Sequence, residues 1–175
     1  ETDLAHAVIE KVTQFLVDWI QYQAEMIDSV EGIFLLDDQV GFLGNENFEE
    51  FAKPYLKRVF EAIEVPVRFF HNDAQGQVCA PHLESIGVNL FNFAIEHSMS
   101  DMRQWVGENV TLLGNIPPRD VLAGGTTEEV RASVRQMIDE VSDPRRVILS
   151  CGGGMPPGVT TENITAFLQE AGCKS

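Results

Sequence analysis

Apolar and polar positions alternate so as to divide the chain into one long helix and five strand–loop–helix units. Leu4, Val8, Val12, Phe15, Leu16, Trp19, Ile20 and Ile27 recur at helical spacing and predict an amphipathic helix over residues 3–28. Five short apolar runs follow: Gly32–Leu36, Val67–Phe70, Val88–Phe93, Val110–Leu113 and Val147–Leu149. Gly, Pro, Asn or Asp bounds each of them, which marks strands more often than helix pieces. Most are apolar on both faces, as parallel strands covered by helices are. Between them the pattern turns helical. Asn47 and Glu50 have the spacing of a capping box, opening a helix with Phe48, Phe51, Tyr55, Leu56, Val59 and Ile63 on one face. Pro54 inside it predicts a kink or a fresh helical start. A short helix over Val78–Ile86 stops at Gly87, and a modest one covers Ser98–Val106. Thr126 and Glu129 cap a helix to Val141, and a last helix runs from Glu162 to Ala171.

Two of these units share one grammar. Val110–Pro118 and Arg146–Gly158 each read as an apolar run, a Gly turn and Pro-Pro, with a Thr-capped helix behind. Repeated strand–loop–helix units predict a parallel α/β fold of the TIM-barrel type, whose active sites sit in the loops after the strands.

Composition narrows the picture. A chain of 175 residues, 44% hydrophobic, buries one sizeable core and reads as a single domain over 1–175. That is short for a complete (β/α)8 barrel, which takes at least about 200 residues. A βα series that opens on a helix reads as lacking its N-terminal strands. The net charge of −15 argues against nucleic acid and against an anionic membrane surface. No apolar run has membrane-spanning length and no secretory signal opens the chain. Cys79, Cys151 and Cys173 are odd in number and far apart, which fits a reduced, cytoplasmic protein and not a disulfide framework.

The candidate chemistry lies at the strand ends. Asp38, His71, Asp73, Asn92, Asn115 and Cys151 all fall at or just past the end of an apolar run. Residues two apart in a strand share a face, so His71 and Asp73 point into one space, and so do Leu149 and Cys151. His71, Asp73 and Cys151 are a candidate zinc set, able to deprotonate a thiol substrate at an open position. Strand-end carboxylates and histidines also serve proton transfer, with Asp37, Asp38 and His71 as the groups involved. Equally, one of the two aspartates caps the next segment. Gly152-Gly153-Gly154, with Asn115 from the preceding strand, is a candidate for holding an anion or cofactor. It lacks the Lys and Ser/Thr of a P-loop and the spacing of a dinucleotide fingerprint. The alternative is a loop that needs positive φ or a close backbone approach. Phe69, Phe70, Phe91 and Phe93 read as core, and His6, His82 and His97 as surface or satisfied side chains.

Several segments together resemble the C-terminal signature of the uroporphyrinogen decarboxylase superfamily. They are Ile33–Asp38, Phe51–Leu56, Phe70–Asp73, Gly114–Pro118, Thr127–Arg131 and Ile148–Ile164, in order and spacing. The resemblance implies a (β/α)8 barrel, of which this chain is the C-terminal five βα units, roughly strands four to eight. The part carrying the decarboxylase's arginines and one substrate-site aspartate is then absent. The superfamily includes the haem-pathway decarboxylase and zinc-dependent methyltransferases that work with corrinoid proteins and thiol acceptors.

The departures matter. Where the decarboxylase has Gly-His-Gly this chain has Gly152-Gly153-Gly154, and where it has Ser this chain has Asp38. Of the methyltransferases' His-x-Cys, His71 is kept and Asp73 replaces the Cys; their last-loop Cys position is Gly153, with Cys151 two residues earlier. The first expectation is therefore methyl transfer involving a corrinoid, carried by a partner protein, or a thiol acceptor at a variant zinc site. The second is decarboxylation of a tetrapyrrole or related acid, with Asp37 or Asp38 orienting pyrrole N–H groups. The third is a non-catalytic half-barrel that pairs with another chain. Open strand edges and a bare inner face lead us to expect a homo-oligomer or pairing with the missing barrel portion.

Overall fold

The computed structural model describes residues 2–141 and 143–172; Cys173 lies outside them. Helix α1 (Thr2–Met26) is followed by one parallel sheet in the order β1 (Gly32–Leu36), β2 (Val67–Asn72), β3 (Leu90–Phe93), β4 (Thr111–Ile116) and β5 (Val147–Cys151). Sequential strands lie side by side, with α2 (Asn45–Phe51), α3 (Lys53–Phe60), α4 (Met99–Trp105), α5 (Thr127–Glu140) and α6 (Thr161–Glu170) in the connections. These are five consecutive units of a (β/α) barrel, as the pattern predicts.

The differences are local and have physical causes. Helix α2 starts at Asn45 behind Gly44 with no side-chain cap, so Asn47 and Glu50 form no capping box. Pro54 does impose a fresh start: α3 begins at Lys53 with the proline in its first turn, where its missing N–H costs nothing. Val78–Ile86 is not one helix but two 3₁₀ turns, Ala80–His82 and Glu84–Ile86, split around Pro81 and stopped by Gly87 at φ 89°. Strand β3 begins at Leu90, because the Val88 N–H turns back to the Leu83 carbonyl and the Asn89 side chain bridges to Pro66 O and Arg68 N. At the other end the β4–β5 ladder outlasts the apolar runs, through Asn115↔Ser150 and Ile116↔Cys151. A π-helical turn over Pro118–Ala123 then leads to α5, whose Thr126–Glu129 capping box forms as expected.

The core lies between the sheet and the helices. Phe48, Phe60, Phe70, Phe91 and Phe93 are fully buried, and Phe91 stacks on Phe70 and Phe93 with ring centres 6.0 and 5.8 Å apart. The opposite face of the sheet is bare. Along β1, Ile33 is buried under helices, whereas Phe34 and Leu36 are 55% and 59% exposed. Phe34 stacks on Phe69 at 4.4 Å on that side. Helix α1 also shows apolar residues outward, with Leu4, Phe15, Trp19 and Met26 exposed. Among the described residues no helix is long and apolar enough to cross a membrane.

Candidate active site at the strand ends

Register decides which side chains meet. His71 is the Cα partner of Asn92, Asn92 of Leu113, and Leu113 of Ile148. Side chains at paired positions share a face, so His71 and Asn92 stand side by side on the bare inner face.

Asn92 organises the group. It is 2% exposed, and its amide reaches four partners. The Gly153 N–H donates to its Oδ1 at 3.1 Å, and its Nδ2 donates to Leu113 O at 2.7 Å and to Cys151 O at 3.4 Å. One backbone donor and two carbonyls fix which end of the amide is oxygen. His71 Nδ1, 2.7 Å from that oxygen, must therefore donate. In the neutral ring the lone pair is then on Nε2, which lies 3.3 Å from Asp73 Oδ2. Asp73 follows β2 directly, and its backbone N–H donates to Asp38 Oδ1 at 2.7 Å, tying the β1 loop to the β2 loop. The structure thus brings Asp38, His71, Asp73 and Gly153 together around Asn92.

Asp37 points elsewhere. Its Oδ1 accepts the Gln39 N–H at 2.9 Å, and it lines an apolar cavity of about 470 Å³ beneath α1, with Ile9, Leu16, Val40 and Leu56. Burial pushes its carboxyl above the usual aspartate range, outweighing hydrogen bonds from Gln39 and Val40 that pull it down. A raised folded-state value means that Asp37 holds its proton more tightly in the native state than in the unfolded chain. Its contribution to stability is therefore lost as pH rises through the folded value. Asp37→Asn keeps the oxygen facing Gln39 and removes the charge. We expect it to raise the thermal midpoint at pH 7, where the native state otherwise holds the partly buried charge. The gain shrinks towards pH 4; denaturation curves at the two pH values check this.

Cys151 does not join His71. Its Cα partner is Ile116, which is 1% exposed, and it packs with Val147 and Leu149 against the helix-side core. Ile148 and Ser150, not Leu149 and Cys151, take the parity of His71. The thiol donates to Gly153 O at 3.3 Å, and burial, reinforced by the Asp73 charge, pushes it up. Among the described residues no three His, Cys, Asp or Glu side chains are grouped to hold a metal ion. His71 and Asp73 offer two adjacent donors; the third does not converge with them.

The glycines serve close approach. The Gly152 N–H is spent on Ile116 O, and the Gly153 N–H on Asn92. Gly153 has φ +73°, and a Cβ there would lie 2.6 Å from Asp73 Oδ2. A Cβ on Gly152 would stand 2.5 Å from Ile95 Cγ2 and 2.6 Å from Asn115 Oδ1. Asn115 sits behind this loop, inside β4. Its Nδ2 donates to His97 O at 2.6 Å, and it lines a hollow of about 380 Å³ with Ser98, Ser133 and Met137. Its Oδ1 is buried without a partner.

A cavity of about 240 Å³ gathers the segments after four strands: Asp73 after β2, Ile95 and Glu96 after β3, Arg119 after β4 and Gly152 after β5. The sequence marks Asn92 as a strand-end residue without giving it a role, and Arg119 goes unnoticed there. Its position directly behind Pro117-Pro118 at the end of a strand is the available signal.

Comparison with known proteins agrees with this layout. The family model described as uroporphyrinogen decarboxylase matches residues 1–172. The uroporphyrinogen decarboxylase of Alcanivorax borkumensis is 24% identical over 176 residues, which cover 97% of this chain and 48% of that protein. The human uroporphyrinogen decarboxylase is 27% identical over 174 residues, 94% of this chain and 46% of the relative. Among solved structures, a methyltransferase from Methanosarcina mazei superposes with a TM-score of 0.81 at 17% identity, over 97% of this chain and 49% of its own. That likeness speaks for the fold alone. The chain spans about half the length of the curated relatives it matches. With its strand-end site and five βα units, the chain belongs to the uroporphyrinogen decarboxylase family.

Proposed function

We propose that the strand-end face is a proton-transfer site acting on a tetrapyrrole acid or a related substrate, the decarboxylation reading. One observation carries it: Asn92 holds His71 with Nδ1 as donor, which leaves Nε2 beside Asp73 and the cavity for a proton. When a carboxylate leaves as CO₂, its electron pair stays on carbon and a proton must replace it. An imidazolium at His71, paired with Asp73, supplies that proton from Nε2 and ends neutral. Asp38 and Asp73 are acceptors suited to pyrrole N–H groups. The relatives named uroporphyrinogen decarboxylase support the substrate class.

His71→Asn is the test. Its amide nitrogen replaces Nδ1 and keeps the bond to Asn92, while Nε2 is deleted. We expect turnover of uroporphyrinogen, followed by product chromatography, to fall at least about a hundredfold, the lower range for a lost acid–base group. Unchanged turnover in the variant would remove His71 from the chemistry.

The methyl-transfer reading keeps one specific support. A histidine that gives its other N–H to a fixed acceptor, with a carboxylate beside its free nitrogen, is also how a metal ligand is oriented. Zinc there would polarise a thiol; His71 and Asp73 would hold it, with a further donor from outside the described residues, and a corrinoid would arrive on a partner protein. Elemental analysis after incubation with zinc separates the readings. One zinc per chain, lost in both His71→Asn and Asp73→Asn, would put methyl transfer ahead.

A further inference from the structure

We propose that Arg119 anchors an anionic substituent of the substrate and so turns the reacting group towards His71. This rests on the tetrapyrrole-acid reading above and adds to it a residue that sets orientation. Arg119 stands on the π-helical turn Pro118–Ala123, just past β4, and lines the same 240 Å³ cavity as Asp73, Glu96 and Gly152. Among the described residues it has neither a hydrogen bond nor an ion pair through its guanidinium. The other arginines are all engaged: Arg58 with Glu10, Arg135 with Glu128, Arg145 with Asp143, and the rest with carbonyls or side-chain acceptors. In a chain of net charge −15, an arginine left without a carboxylate at the mouth of a cavity is available for one brought by a ligand.

The charges around it define what fits. Asp73, Glu96 and Asp120 in the lining and the nearby Asp38 repel an anion and accept N–H groups; Arg119, the one cationic side chain of the lining, offers a planar fork of donors. A ligand with N–H donors at its centre and carboxylates on its rim matches that asymmetry in one orientation. At 240 Å³ the cavity is smaller than the roughly 300–1,000 Å³ of a drug-sized site. It takes one substituted pyrrole and its acid arm, not a whole macrocycle.

The experiment is a fluorescence titration of the protein with two water-soluble probes: uroporphyrin I, an octacarboxylate, and tetrakis(N-methylpyridyl)porphyrin, a tetracation. Arg119→Gln should weaken uroporphyrin binding by about 10- to 150-fold, the range for a lost hydrogen bond to a charged group. It should leave the tetracation bound as tightly as before or more tightly, and Arg119→Lys should recover part of the loss. Equal uroporphyrin affinity in wild type and Arg119→Gln would overturn the assignment while leaving the tetrapyrrole reading intact. So would parallel weakening of both probes, which would report a structural role. Failure of the wild-type protein to bind uroporphyrin would overturn the tetrapyrrole reading and this assignment with it.

Discussion

Replacing Phe91 by alanine should remove about 3–5 kcal/mol of stability, the range for deleting a fully buried aromatic ring. Phe91 is 0% exposed, sits in the middle strand of the sheet, and stacks on both Phe70 and Phe93. On the helix side a Cβ added to Gly76 would lie 3.4 Å from the Phe91 ring and 3.3 Å from Met102 Cε, so the void would open in the part of the core shared by β3, α4 and the loop after β2. A single domain has about 5–15 kcal/mol in all. The variant therefore sits near the edge of folding, and its thermal midpoint should fall by roughly 6–20 °C. Phe91→Leu keeps most of the volume and should lose much less. Urea and thermal denaturation of both variants measure this. A Phe91→Ala loss below about 1 kcal/mol would mean that the ring is not enclosed as described.

Asn92→Leu is the second large effect, and its origin is polar. The substitution nearly conserves shape but strips partners from His71 Nδ1, the Gly153 N–H and the Leu113 carbonyl. Leaving a buried donor or acceptor unmade costs about 1–3 kcal/mol each, so the sum is about 3 kcal/mol or more. The same change frees the His71 ring and uncouples the β5 loop from β3. A double-mutant cycle with His71→Ala separates these consequences. The two losses should be less than additive, because the Nδ1–Oδ1 bond is counted in both single variants. Strict additivity would mean that this bond contributes nothing.

Much of this architecture was legible in the residues, for a simple reason. Strands buried on both faces are apolar runs, and Gly, Pro and Thr caps punctuate them, so every strand and the capping box at Thr126 could be located. Strand ends were harder. Asn115, Ser150 and Cys151 are not apolar, yet the β4–β5 ladder carries on through them because backbone pairing is indifferent to side chain. Which way Cys151 faces is harder still. Counting parity within Val147–Leu149 says which residues share a face; it does not say which face is the inner one. Only the register from His71 through Asn92 and Leu113 to Ile148 sets that. The central place of Asn92 was illegible for a related reason. Its importance comes from partners 21 to 61 positions away, and spacing along the chain carries no trace of them. His71 and Asp73 could be paired in advance because they lie on one strand end, where local geometry alone brings them together.

The site turns on one proton. If Asn92 fixes His71 as described, the neutral ring carries its hydrogen on Nδ1 and leaves Nε2 open to the site. Nitrogen-15 NMR of the histidine rings, with His71 assigned through the loss of its signals in His71→Asn, reads this directly. We expect a protonated Nδ1 and an unprotonated Nε2 for the neutral ring of His71 in the wild-type protein, with that preference lost in Asn92→Leu. A neutral His71 ring carrying its hydrogen on Nε2 in the wild-type protein would contradict this, and would take with it both the proton-transfer role and the metal-ligand alternative at that nitrogen.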